Sequence, residues 1–265
     1  MYILRRLEKL YKFLPPLLIR DLKEKFAGSH IGLIWALVQP LLIVILFTVV
    51  FSKIFKVRVH FGDTEMPFFI YLFTGLFPWF AIQEGIMRGA SSIVDKGFLI
   101  KKVLYPAELF PINAVISAVV QHGIGFFLFL VWFFLAYKGD IRVLHIIGLP
   151  LLISTQIMLT MGFAFLLAAL TVYVRDIVQI LGVVLQGVFF LTPIVFSMSS
   201  VPENLKRLIL LNPFALLIEG YHSIILYNTY SVDGKTICLI SFAALIFSSG
   251  LYIFRKLKKG FADVL

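Results

Sequence analysis

Few of the side chains that could do covalent or proton chemistry in these 265 residues are spaced to cooperate. No stretch has the form G-x-x-x-x-G-K-[ST], in which glycine backbone N–H groups and a lysine cradle phosphates, and nothing else reads as a nucleotide fold. Hydrolysis is therefore not encoded in this chain. His122 is the lone titratable residue of its apolar run, His145 stands at the border of another, and Asp and Glu gather at run ends. A carrier driven by protons or ions sets paired ionisable groups at mid-membrane, and this spacing offers no such pair. The single Cys238 can form neither an intrachain disulfide nor a cysteine metal site, and reads as a small apolar residue in a span. What the sequence does supply is three short charged groups: Arg20, Asp21, Lys23 and Lys25; Asp95, Lys96, Lys101 and Lys102; and Arg175 with Asp176. Such groups form ion pairs with a docking protein or sit near anionic lipid, and both readings stand on the residues alone.

The elements that must carry these groups follow from hydropathy. Apolar residues make up 60% of the chain and charged residues 14%, against about 25% charged in soluble domains, so this is an all-α integral membrane protein. A hydrocarbon core of about 30 Å takes about 20 helical residues, and the uncharged stretch Ile31–Ser52 supplies 22. Treated alike, the chain 1–265 reads as one domain with six transmembrane helices, over 31–54, 66–88, 107–137, 144–174, 177–198 and 236–254. Gly75 and Pro78 should bend the second, and Thr192-Pro193 should weaken the fifth near its end. Upstream, Leu18, Leu22 and Phe26 recur at helical spacing, which predicts an amphipathic helix lying in the interface and begun by Pro15-Pro16. In Asp95–Tyr105, Phe98, Leu99, Val103 and Leu104 oppose Lys96, Lys101 and Lys102, predicting a second short amphipathic helix, while Lys53–Glu65 reads as a solvated loop. Ser200–Glu203, with Pro202, and then Asn212-Pro213 open two helices within 199–228 that are too short to cross. They read as a re-entrant or interfacial hairpin, with an ordinary surface loop as the alternative. Of the 24 Lys and Arg, 16 fall on one set of loops and 8 on the other, which puts both termini in the cytoplasm. The net charge of +10 lies in those loops, with no polar domain to read nucleic acid. Met1–Phe13 carries Glu8 and no continuous apolar core, so it does not read as a signal peptide.

Read as Arg-Asp-Leu-Lys-x-Lys-Phe over 20–26, then Gly32, Trp35 and Pro40, the first of these segments closely resembles the start of the permease subunit of polysaccharide-exporting ABC transporters. A looser similarity runs on through Thr192-Pro193-Ile194, Asn212-Pro213 and Glu219-Gly220-Tyr221. Members export O-antigen, capsule or teichoic acid chains, and drug or lipid exporters of the wider ABC-2 group are the alternative. The resemblance implies the ABC-2 exporter fold in a bacterial cytoplasmic (inner) membrane, working as a homodimer among membrane lipids. It implies an ABC ATPase partner that holds ATP and Mg, so this chain is no enzyme and needs no cofactor of its own. Its cargo would be an undecaprenyl-linked polysaccharide.

The same resemblance assigns parts. The helix with Arg20, Asp21, Lys23 and Lys25 becomes an interface helix, and Asp95–Tyr105, with Phe98 and Leu99, a coupling helix seated on the ATPase. The segment with Pro193, Pro202, Asn212, Pro213, Glu219 and His222 becomes an outer gate on the periplasmic side, although many members carry arginine where this chain has His222. Trp35, Phe47, Phe51 and Phe55 on the first span, with Phe189, Phe190 and Phe196 on the fifth, would form an aromatic wall along which sugar rings slide.

Overall fold

The computed structural model describes residues 2–25, 32–54, 56, 59–61, 64–98, 106–136, 143–227, 229 and 232–264. The chain opens with α1 (Tyr2–Lys25) and then α2 (Trp35–Phe47), which a stretch of wider π-type turns prolongs over Thr48–Ile54. A small antiparallel hairpin follows, β1 (Val59–Phe61) paired with β2 (Thr64–Met66), His60 opposite Glu65. Next come α3 (Phe68–Asp95), α4 (Leu109–Ala136), α5 (Val143–Tyr173) and α6 (Ile177–Phe190). The C-terminal third holds α7 (Glu203–Ile209), α8 (Pro213–His222, prolonged to Tyr227), α9 (Gly234–Leu257) and the single turn α10 (Phe261–Val264).

The pillar of the fold is α3. Its Ile70, Leu72, Leu76, Trp79 and Ile82 are wholly enclosed, packed against α4 on one side and α5 on another. In the most apolar stretch of α3, 72% of residues are buried, against 11% in α2. The first span is therefore attached to the bundle by one edge and leaves the rest of its surface to lipid or to another chain. Lipid tails are as apolar as the helices, so association here depends on close packing rather than on escape from water. A close seam joins α5 to α9, where a Cβ at Gly250 would stand 2.2 Å from the Gly162 carbonyl oxygen.

Several expectations are corrected. Helix α1 runs through Pro15 and Pro16 instead of beginning at them. Both rings face outward, so the carbonyls left without a donor can be hydrated and the helix survives. The 53–65 loop is not wholly irregular, since it contributes β1 and part of β2. The second span does not end at 88: α3 continues to Asp95, with Glu84 and Arg88 inside the helix. Asp95 is thus the last residue of α3 and not the first of a separate helix, while Leu99, Lys101, Lys102 and the rest of 99–105 lie outside the described residues.

The fifth span is the largest departure, because α6 has 14 residues and stops at Phe190 instead of reaching 198. At about 1.5 Å per residue that is about 21 Å, short of the hydrocarbon thickness. Pro193 supplies no N–H and turns Thr192 away from helical backbone. The final turn is closed instead by the Leu191 amide on the Gly187 and Val188 carbonyls and by the Thr192 hydroxyl on the Val188 carbonyl. Among the described residues five helices are long and apolar enough to cross a membrane, and α7 with α8 form a pair bent by 105° that makes a sixth if counted as one broken span.

Candidate functional site

The ionisable residues that look isolated along the chain meet where α1 crosses α3 and α4. Glu84, on α3, is the hub. Its Oε1 accepts from Lys25 Nζ at 2.5 Å and from Arg88 Nη1 at 3.1 Å, and its Oε2 lies 2.9 Å from His122 Nε2 on α4. Arg88, one turn further along α3, also pairs with Asp21 on α1. Lys25 donates a second bond, at 2.8 Å, to Gln121 Oε1 on α4. Around this core Arg20 pairs with Glu24 at 3.0 Å, and Glu24 meets Lys96, just past the end of α3, at 3.6 Å. The Glu84 side chain is only 17% exposed and His122 only 8%, so an unpaired charge here would be costly, and Glu84 is held by Lys25, Arg88 and His122 together. His122 Nδ1 is buried with no hydrogen-bond partner among the described residues.

Three elements are thus clamped together about midway along α3 and α4. Sequence spacing could not pair His122 with Glu84, which stands 38 residues away. The expectation that ionisable groups stay scattered is therefore overturned. A usable signal was present in Glu84 and Arg88 at i, i+4 beside Gly85 and Gly89, which marks a helix that continues and packs closely instead of ending at Arg88.

Toward the start of α3 the polar contacts centre on Tyr71. Its hydroxyl lies 3.0 Å from the Pro193 carbonyl and 2.8 Å from that of Phe196, tying the irregular chain after α6 to α3. His222 stacks on the Tyr71 ring with centroids 3.9 Å apart and is wholly buried. It fits because Gly75 leaves room: a Cβ there would stand 3.3 Å from His222 Nε2. An arginine at this position would meet the same closed space. Tyr221 donates to Gln156 Oε1 at 2.7 Å, and Gln156 Nε2 reaches the Pro78 carbonyl at 3.3 Å, linking α8, α5 and α3.

Asn212 acts as the N-cap expected from the Asn-Pro pair, accepting from the Phe214 amide at 3.0 Å, and its Nδ2 also reaches Thr192 Oγ1 at 3.1 Å. Pro213 opens α8, and Pro202 sits at the N-cap of α7 and not within its first turn. Glu219 is part-exposed and faces a cavity of about 270 Å³ shared with Ser223, Thr229, Asp233, Lys235 and Thr236. Asp233 caps α9, and the hydrogen bond from the Thr236 amide holds its carboxyl below the usual aspartate range.

The aromatic set is partly assembled. Phe47 lies 5.8 Å from Phe51 along α2 and 5.8 Å from Phe189 on α6, and Phe189 lies 5.1 Å from Phe190. Trp35 and Phe190 are exposed, Phe196 stands on the turn beyond α6 and not on a helix, and Phe55 lies outside the described residues. Phe98 and Lys23 are exposed. Arg175 and Asp176 occupy the exposed α5–α6 turn and take no part in the ion cluster among the described residues. No group of three His, Cys, Asp or Glu that could hold a metal ion occurs among those residues either.

Polar contacts thus gather in two clusters, and the apolar bundle between them leaves the first span weakly covered. The chain is similar, at 26% identity over 250 residues covering 93% of it and 92% of the relative, to the O-antigen export system permease protein RfbA of Klebsiella pneumoniae. It is 26% identical over 266 residues to the protein of the same name from Myxococcus xanthus, covering 98% and 99% of the two chains. The polysialic acid transport protein KpsM of Escherichia coli is 20% identical over 244 residues, covering 91% and 92%. The family described as ABC-2 type transporter matches residues 16–226, and the chain belongs to that family.

Proposed function

We propose that two copies of this chain form the membrane half of an ATP-driven exporter that carries an undecaprenyl-linked polysaccharide, of the O-antigen kind, across the bacterial cytoplasmic membrane. The observation that carries this reading is the near end-to-end similarity to O-antigen export permeases from two organisms, joined by a polysialic acid transport protein. A separate ABC ATPase supplies the energy, because these 265 residues contain no phosphate-binding loop. Both termini and the α1 cluster face the cytoplasm in this arrangement.

The geometry supports a division of labour. The clamp of Asp21 and Lys25 onto Arg88 and Glu84 fixes α1 along the inner surface as an interface helix. Arg20, Lys23, Asp95, Lys96, Phe98, Arg175 and Asp176 lie on that side as candidate ATPase contacts, and the connection after α3, with Leu99, Lys101 and Lys102, serves as the coupling segment. The half-covered helices α2 and α6 offer Leu42, Ile45, Val183 and Val184, all more than half exposed, to the second copy, with Phe47, Phe51 and Phe189 nearest the cargo. The bent α7–α8 pair, held to Thr192 by Asn212, closes the outer end. ATP drawing the two ATPases together would shift the population of permease arrangements through differential contacts on the coupling segment.

Two measurements test this. Deleting the gene from its own host should abolish surface polysaccharide, and the permease purified with its ATPase should run as a dimer of each. Drug sensitivity with intact surface glycan, or a stable monomer that recruits no ATPase, would overturn it.

A further inference from the structure

The cytoplasmic end of the bundle has a second polar tie, far from the α1 cluster. Lys258, in the turn Lys258–Gly260 that follows α9, donates to Glu108 Oε2 at 2.7 Å. Glu108 is 8% exposed at its side chain and immediately precedes α4, so it marks the point where the α3–α4 connection rejoins the bundle. Its carbonyl already takes part in the opening turn of α4 through the Ile112 amide at 3.4 Å. The turn that presents Lys258 is held in its turn. The Tyr173 hydroxyl, at the end of α5, donates to the Leu257 carbonyl at 3.0 Å, and Phe261 is enclosed with its ring 5.5 Å from Phe254 and 6.4 Å from Tyr173. Ile93, Ala107, Phe110, Phe165 and Val172 complete one apolar cluster that joins the ends of α3, α4, α5 and α9.

The two flanks of the α3–α4 connection are therefore fastened unequally. Lys96 meets Glu24 at 3.6 Å with both side chains about a third to a half exposed, a pairing of the exposed kind that solvent screens and that holds little. Glu108 is buried and its bond to Lys258 is short, so losing Lys258 strips a charged partner from a buried carboxylate. We infer that Lys258 and the C-terminal turn are positioning elements for coupling: they brace the far end of the α3–α4 connection, so that displacement imposed there passes through Glu108 into α4, α5 and α9. This rests on the proposal that the connection receives the ATPase stroke, and it gives the residues after the last span a role beyond stopping that span.

The test uses the complex of permease and ATPase with Lys258→Glu, Glu108→Lys, the double reversal, Lys258→Arg, and Lys259→Gln as an exposed neighbouring control. Export is read as surface polysaccharide in the native host, and ATP turnover and the KM for MgATP are read on the purified complex, each per assembled complex on size exclusion. Each single reversal should lower export per complex by about tenfold with KM for MgATP within about twofold, because the ATP site is on another chain and only transmission is lost. The double reversal should recover export to within about threefold, and Lys258→Arg and Lys259→Gln should behave like the parent. A single reversal that assembles and exports at the parental rate overturns the inference, as does a double reversal that assembles yet stays as impaired as either single. If the single reversals do not assemble, Lys258→Gln replaces them under the same criterion. A parent complex that hydrolyses ATP but exports no polysaccharide refutes the functional proposal itself, and the brace falls with it.

Discussion

Replacing Glu84 with Gln keeps the shape of the hub and removes its charge. The amide can still accept one bond, but it presents a donor toward His122 Nε2 and gives Lys25 and Arg88 a neutral partner in place of a carboxylate. Bonds to charged groups contribute about 1.5–3 kcal/mol each, and stripping one partner from a buried pair costs about 3–5 kcal/mol. With Lys25 27% exposed and Glu84 17%, solvent softens the loss, and a figure of about 2–4 kcal/mol is expected. For a chain of this size that corresponds to a fall of about 5–10 °C in the midpoint of thermal unfolding in detergent. Glu24→Gln is the matched control: its carboxylate is 52% exposed and pairs with Arg20 and Lys96 at 3.0 and 3.6 Å. Exposed pairs contribute about 1 kcal/mol or less, so its midpoint should move by less than about 3 °C. A cysteine-reactive label at Lys23→Cys, in a Cys238→Ser background, adds a local readout, because release of α1 should raise its labelling rate in the Glu84 variant alone. Equal shifts in the two variants, or an unchanged midpoint in Glu84→Gln, would refute the view that a shared buried carboxylate holds α1 to the spans.

Gly250→Ala should cost about 1–3 kcal/mol by forcing α9 away from the Gly162 backbone, whereas Gly182→Ala, with nothing within 4 Å of its new Cβ, should leave the thermal midpoint in place. Tyr71→Phe keeps the stack on His222 but deletes the hydroxyl that reaches two carbonyls, a loss of about 1–2 kcal/mol, visible in thermal stability and in faster proteolysis between Thr192 and Pro202. The carboxyl of Asp233 is held below its ordinary value of about 3.9. Its capping contribution is therefore complete above that value and is lost as the pH falls through its lower folded value. Amide exchange at Thr236, corrected for intrinsic rates, should rise in that acid window, and an Asp233→Asn chain should show no such step.

Much of the architecture is legible because hydropathy is a property of consecutive residues and bilayer thickness is fixed, so uncharged runs of 18 residues or more can be read directly as spans. The same logic misplaces the ends. Glu84 and Arg88 look like a boundary only while their partners are unknown; once Lys25 and Asp21 pair with them and His122 hydrogen-bonds Glu84, α3 can carry them for a further turn and more. Pro193 announces the failure of the fifth helix, yet its effect extends three residues upstream to Phe190 because the freed carbonyls are met by Thr192 and by bifurcated bonds. The Pro15-Pro16 pair misleads for a related reason, since a helix whose proline rings face outward tolerates missing N–H groups that an enclosed one does not. The stack of His222 on Tyr71 depends on the space left by Gly75, which no spacing rule reveals, and the cap by Asn212 is local enough to be read outright.

The thinly covered first helix has a consequence for how the molecule meets membranes of different thickness. With 11% of its apolar stretch buried against 72% for α3, α2 can change its tilt with little disturbance of the bundle, while α3 cannot. Stretching or thinning the surrounding hydrocarbon should therefore be absorbed at α2 first. Because the proposed second copy would seat on that same helix, acyl-chain length then becomes a dial on the seam between the two copies, with the rest of each bundle keeping its frame.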